Sequence, residues 1–92
     1  MFSVAIENAK YDDYFTEKIL DCFASGTIPI YYGTDNISNY FNSNGIIKLK
    51  DLIFDDLTPD LYYSKMEFVK ENFEKVLEME VLEDYIYKNY LN

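Results

Sequence analysis

The sequence predicts an α/β fold: a strand, a helix and two further strands, followed by C-terminal helices. Three stretches carry that prediction. Phe2-Ser3-Val4-Ala5-Ile6 is a short apolar run, Ile19, Leu20, Phe23 and Ala24 recur at helical spacing, and Thr27 to Tyr32 is a second strand-like run closed by Gly33. Strand, polar loop, helix and strand form one βαβ unit of about the 30 residues that motif needs. In such units ligands bind where strands end and helices begin.

Taken in order, Phe2 to Ile6 reads as a parallel strand buried on both faces, because such strands are apolar throughout. A strand starting at the second residue implies neighbouring strands supplied by a longer parent or by other chains. Glu7 to Asp13 is a polar loop, and Asp12 and Asp13 are expected as N-caps or as favourable charges near the helix start. The helix runs from Phe15, and Gly26 ends it as a C-cap should. In the next strand Pro29 lacks a ladder donor, so it should lie where a missing N–H does no harm. Gly33 to Gly45 is loop-like, with a short helical turn near Ile37 to Phe41.

Ile46-Ile47-Lys48-Leu49 is a third, shorter strand. Thr58-Pro59-Asp60 is a strong helix start, with Thr as cap and Pro in the first turn. Tyr62, Met66, Val69, Phe73 and Val76 then form one apolar stripe expected to face the core. Leu82, Tyr85, Ile86 and Tyr90 place a final short helix over Val81 to Leu91. No internal repeat or low-complexity segment is visible.

Composition bounds the function. Ninety-two residues, 49% hydrophobic and 18% aromatic, suffice for one small ordered domain. A net charge of −9, with eight Lys and neither Arg nor His, gives no basic face for nucleic acid. The acidic residues between Asp51 and Asp84 read as a solvated helical surface. One cysteine, Cys22, excludes an internal disulfide framework and is expected as a half-buried, inert thiol on the helix. Without His, zinc sites and Ser-His or Cys-His nucleophiles are excluded within the chain. No signal-peptide pattern is present, and no apolar run approaches the roughly 20 residues that span a bilayer. The chain is therefore expected to be soluble. Asn36-Ile37-Ser38 is an N-glycosylation sequon, a triplet common by chance.

The unusual residues cluster at the first strand–helix junction. A helix N-terminus offers unpaired N–H groups and partial positive charge, and Lys18 adds a full charge there. Glu17 can accept hydrogen bonds from two neighbouring sugar hydroxyls, Asn8 offers an amide, and Tyr14 can stack on or bond a ring. Together they suit a nucleotide-sugar, with phosphates on Lys18 and the backbone and ribose on Glu17. The same residues also fit an ordinary helix surface, with Asn8 capping a turn. The absence of Arg, the usual phosphate fork, weighs on that side.

Ile6-Glu7-Asn8, then Tyr14-Phe15-Thr16-Glu17-Lys18-Ile19-Leu20-Asp21, then Ile28-Pro29-Ile30-Tyr31-Tyr32-Gly33 resembles the C-terminal signature of glycosyltransferase family 10 α-1,3/4-fucosyltransferases. Three linked segments in the same order and spacing are far more specific than any one. The resemblance covers Phe2 to about Leu52 and continues loosely through Glu71-Asn72-Phe73 and Glu83 to Tyr87. Ile6, Phe15 and Tyr32 stand where the family usually has Phe, Val and Trp.

The resemblance implies a partial Rossmann-like domain, the C-terminal half of a GT-B transferase, spanning residues 1–92 and lacking the N-terminal acceptor domain. It implies that Asn8 and Lys18 contact the donor diphosphate, Glu17 the ribose and Tyr14 the donor nearby, with Glu7 close to the fucose. The donor would be GDP-fucose, used without a metal or other cofactor, and the reaction would invert the anomeric centre onto a glycan acceptor. The carboxylate base and the phosphate-pairing arginine belong to the absent half, so the isolated chain is expected to bind donor without transferring it. Two other readings stand beside this one. One is a non-catalytic remnant that self-associates through strand or helix exchange; the other is a GT-B transferase using another sugar nucleotide. The expected compartment is cytoplasmic for a bacterial or viral parent and Golgi for a eukaryotic one.

Overall fold

The computed structural model describes residues 1–86. Strand β1 (Phe2–Ile6) leads to helix α1 (Glu17–Ala24) and strand β2 (Ile28–Tyr32). Two single 3₁₀ turns, Ile37–Asn39 and Ser43–Gly45, precede the short strand β3 (Ile47–Lys48). Two more, Leu49–Asp51 and Phe54–Asp56, lead to α2 (Pro59–Ser64) and the long α3 (Met66–Ile86). The three strands form one parallel sheet in the order β1-β2-β3. The β-α-β-β order and the chain's mixed α/β class are as expected from the sequence.

Register divides the sheet into two faces. Ala5 pairs with Tyr31, and Tyr31 with Lys48, so these share one face. That face carries the core: Ala5 and Tyr31 pack with Ile19, Cys22 and Phe23 of α1, with Ile37, Phe41 and Ile46 of the connecting loops, and with Val76 of α3. Helix α1 is therefore held between the sheet and α3. Phe41 ties the loops to it, with its ring centroid 4.7 Å from that of Phe23 and 5.7 Å from that of Phe15.

The opposite face is covered unevenly. Tyr62 of α2 meets Phe2 edge-on at 6.2 Å and donates its hydroxyl proton to the Gly26 carbonyl at 2.6 Å. Farther along β1, Val4 is 64% exposed and Ile6 45%. The expectation that β1 is buried on both faces is thus corrected. An apolar run reports which faces could be buried, and α2 reaches only the Phe2 end.

Local chemistry explains the helix boundaries. Thr16, not Asp12 or Asp13, is the N-cap of α1: its backbone is extended and its hydroxyl accepts from the Lys18 N–H at 3.3 Å. At the other end the Gly26 N–H bonds Phe23 O at 3.0 Å and the Thr27 N–H bonds Cys22 O at 3.1 Å. These two bonds make a Schellman cap, which requires the left-handed φ of +70° that Gly26 adopts freely. Pro29 sits in the middle strand without harm. Ile28 donates to β1, so Pro29 faces the β3 side, where pairing begins only at Ile30.

Thr58 caps α2 as expected, accepting from the Leu61 N–H at 3.1 Å with Pro59 in the first turn. The single stripe expected from Tyr62 to Val76 is broken, because α2 ends at Ser64 and α3 begins at Met66. Within α3 the inward positions are Val69, Asn72 and Val76, whereas Phe73 is 40% exposed. Asn72 displaces Phe73 because its amide pairs both backbone groups of Asn42, accepting from N–H at 2.9 Å and donating to C=O at 3.1 Å. Gly45 beside it has no room for a Cβ, which would fall 2.7 Å from Asn72 Nδ2. Helix α3 also runs without a break into the stretch assigned to a separate final helix. The rest of that stretch, 87–91, lies outside the described residues.

Asn72→Ala would leave a half-buried backbone donor and acceptor without partners, each costing on the order of 1–3 kcal/mol. An unfolding free energy from urea titration lowered by about 2 kcal/mol, with a correspondingly lower midpoint, is expected. An unchanged midpoint would show that the amide does not hold the 42–45 turn.

Candidate functional site

β1 carries on into Glu7, whose N–H donates to the Tyr32 carbonyl at 2.9 Å. By alternation the Glu7 side chain lies on the same face as Ala5, beneath the start of α1. It is only 2% exposed. Its Oε1 accepts from the Thr16 N–H and lies near the Thr16 hydroxyl, both at 2.9 Å, and its Oε2 lies 2.8 Å from the same hydroxyl. Since Thr16 has one hydroxyl proton, it serves one carboxylate oxygen at a time. Lys18 Nζ stands 3.8 Å from Oε2 and compensates the charge. A carboxylate at a helix N-terminus also meets the positive end of the helix dipole.

Behind Glu7 the packing is tight. The Tyr31 hydroxyl is buried and makes no hydrogen bond among the described residues. Burial raises its pKa, and the negative charge of Glu7 raises it further. A Cβ on Gly33 would fall onto the Tyr31 hydroxyl and come within 3.0 Å of Glu7 Cγ. Gly33 is therefore the residue that lets β2 pass close to the Glu7 side chain.

The β1–α1 loop is clasped from across the chain. Asp13 adopts a left-handed φ of 64°, and its N–H bonds Thr34 Oγ1 at 3.1 Å and Asn36 Oδ1 at 2.9 Å. Its carboxylate accepts from Asn36 Nδ2 at 2.8 Å and from the Tyr40 hydroxyl. That last bond holds the Tyr40 proton and raises the tyrosine pKa. Asp13 is thus a clasp and not a helix cap.

Beyond the carboxyl ends of β2 and β3 lies a cleft of about 110 Å³, bordered by Lys10, Tyr32, Gly33, Lys48, Leu49 and Lys50 among others. Lys10 pairs with Asp35 at 3.1 Å and lies 5.7 Å from the centre of the Tyr32 ring.

The residues singled out in the sequence fall as follows. Glu7 and Lys18 are in contact, with Glu7 sealed from solvent and Lys18 half-buried. Asn8 directly follows Glu7 and Glu17 directly follows Thr16, so the Glu7–Thr16 contact brings both within a residue of one junction; both are exposed. Tyr14 is exposed and packs edge-on against Tyr11 at 6.1 Å. Cys22 is buried, and that burial raises its thiol pKa. Sequence reasoning missed Thr16, Tyr31 and Gly33. The signal for Thr16 was a preferred cap residue directly ahead of the helical pattern. Among the described residues, no group of three or more His, Cys, Asp or Glu side chains could hold a metal ion, and no helix is long and apolar enough to cross a membrane.

A parallel βαβ crevice with a lysine at its helix start has a geometry suited to an anion. Comparison with known proteins narrows this. Residues 1–78 match the model for the glycosyltransferase family 10 (fucosyltransferase) C-terminal region, and the chain belongs to that family of enzymes. It is similar to the alpha-(1,3)-fucosyltransferase FucT of Helicobacter pylori, at 38% identity over 54% of this chain and 10% of that protein. It is also similar to the alpha-(1,4)-fucosyltransferase of Arabidopsis thaliana, at 37% identity over 50% of this chain and 12% of that protein. With the human GDP-fucose protein O-fucosyltransferase 3 it shares 44% identity over 47% of this chain and 9% of that protein. The chain thus spans about a tenth of the length of the curated relatives it matches. No solved structure matches it.

The raised pKa values of Tyr31 and Tyr40 carry a pH dependence. Both hold their protons more tightly in the folded chain, so the unfolded chain loses them first. Their stabilisation is complete below the ordinary tyrosine value of 10.0 and is lost as pH rises through the folded values. The urea midpoint should therefore fall as pH rises above about 10. A Tyr31→Phe, Tyr40→Phe double variant should fall less. Equal falls in both proteins would contradict the assignment.

Proposed function

We propose that this chain supplies the GDP-fucose-binding part of an inverting α-1,3/4-fucosyltransferase of GT-B architecture. The observation that carries the reading is what the matched relatives have in common. Their names specify α-(1,3) transfer, α-(1,4) transfer and protein O-fucosylation, so linkage and acceptor differ while fucosyl transfer is shared. A chain similar to all of them is expected to serve what they share, the donor, and one relative's name specifies GDP-fucose.

The residues at the junction fit that role. The Thr16 N–H is bonded to Glu7 and the Lys18 N–H to Thr16 Oγ1. The Glu17 N–H, in the exposed first turn, has no partner within the helix and can bond a phosphate oxygen. Lys18 supplies the ammonium, Asn8 a second donor to the diphosphate, Glu17 a carboxylate for the ribose hydroxyls and Tyr14 a ring contact. The catalytic base and the acceptor site belong to a domain outside this chain, so the isolated chain binds donor and does not turn it over.

Calorimetry with GDP and with UDP tests the reading. GDP is expected to bind and UDP to bind at least tenfold more weakly, and Lys18→Ala should weaken GDP by about tenfold, which is 1.4 kcal/mol. Equal affinity for the two nucleotides would favour a transferase using another sugar nucleotide. GDP binding unchanged in Lys18→Ala would remove Lys18 from the site.

A second reading rests on β1, an edge strand of the kind that pairs with another chain, whose outer face keeps Val4 and Ile6 exposed. It makes the fold a self-association module. Light scattering at high concentration should then report dimers or larger species, and a strict monomer would defeat it.

A further inference from the structure

We infer that Glu7 is a positioning residue for the donor diphosphate, acting through Lys18 and Thr16 without touching the ligand; this rests on the donor reading above. Its side chain is fully buried, whereas the Lys18 side chain keeps 39% of its surface exposed. A sealed carboxylate has no oxygen left for a sugar. One side chain and one backbone amide of Thr16 occupy it, and the 3.8 Å approach of Lys18 Nζ completes its surroundings. Gly33 and Tyr31 close the remaining side, where even a methyl group would collide.

This arrangement has two consequences. First, the Thr16 grip fixes where α1 starts and so where the unpaired Glu17 N–H stands. Second, Lys18 is held over the junction by a charge on the protein side while its outer surface stays open to a ligand. A long, flexible lysine is thereby restricted before the phosphates arrive, which lowers the ordering cost of binding. The buried negative charge also opposes an incoming anion, so the two effects have opposite signs and can be separated.

The test compares GDP with guanosine, which lacks the phosphates, on the full chain. Glu7→Gln can still accept from the Thr16 N–H, but it carries no charge to hold Lys18. Positioning predicts that Glu7→Gln weakens GDP by about tenfold, the lower end of what losing a supporting partner costs at other sites. Guanosine binding should not change, and adding Lys18→Ala should weaken GDP little further. If Glu7 were merely a nearby anion, Glu7→Gln would bind GDP as tightly as the parent or more tightly. If it were merely structural, GDP and guanosine would weaken together. Either result overturns the inference. Should Glu7→Gln fail to fold, Thr16→Val keeps the backbone donor, removes the hydroxyl and is expected to show the same selective loss. A parent chain that ignores GDP would overturn the donor reading itself, which a loss confined to the variants would not.

Discussion

A carboxylate removed from water must have its charge met by nearby donors, and the arrangement around Glu7 meets that demand. The carboxylate takes the Thr16 N–H and hydroxyl and faces the Lys18 ammonium, so the end of β1 is tied to the start of α1. Register then places Tyr31 of β2 on the same face as Ala5, and Gly33 follows because no larger residue fits between Tyr31 and Glu7. The Phe15, Phe23 and Phe41 rings pack together in the core beside α1, so the helix is fixed by charge at its head and by apolar contact along its length. Removing one partner of such a buried group costs more than an ordinary hydrogen bond, because the other is left uncompensated.

The parts of the fold legible in the sequence were those with local causes. Helical spacing from Ile19 to Ala24, the glycine stop at Gly26 and the Thr58-Pro59 start each depend on residues within a turn or two, and each appears where expected. The misread parts depend on distant partners. Asp13 resembled a cap until Thr34, Asn36 and Tyr40, 21 to 27 residues away, were seen to hold it. Phe73 is expected on the inward stripe, but Asn72 takes that place because its partner Asn42 lies 30 residues earlier. The apolar run of β1 could not tell how far along its outer face α2 would reach.

The site was legible in a different way. Lys18, Glu17, Asn8 and Tyr14 stand out by their place at a strand–helix junction, and the proposed donor role would give them a common purpose. Glu7 was grouped with them from its position in the motif, yet burial sets it apart from the other four. Burial is a property of the packed sheet and helix, and nothing in a Glu-Asn pair announces it. In a chain of net charge −9 without arginine, a lysine that stays half open and already oriented is a scarce resource for binding phosphate.

An amide-shift NMR titration of the chain with GDP tests the central claim, that this junction is a donor site. Shifts confined to Asn8 and to Tyr14 through Lys18 are expected, with the Thr16 amide moving least because Glu7 already holds it. A well-folded spectrum in which those resonances stay still while others move would contradict it, and the junction would be structural only.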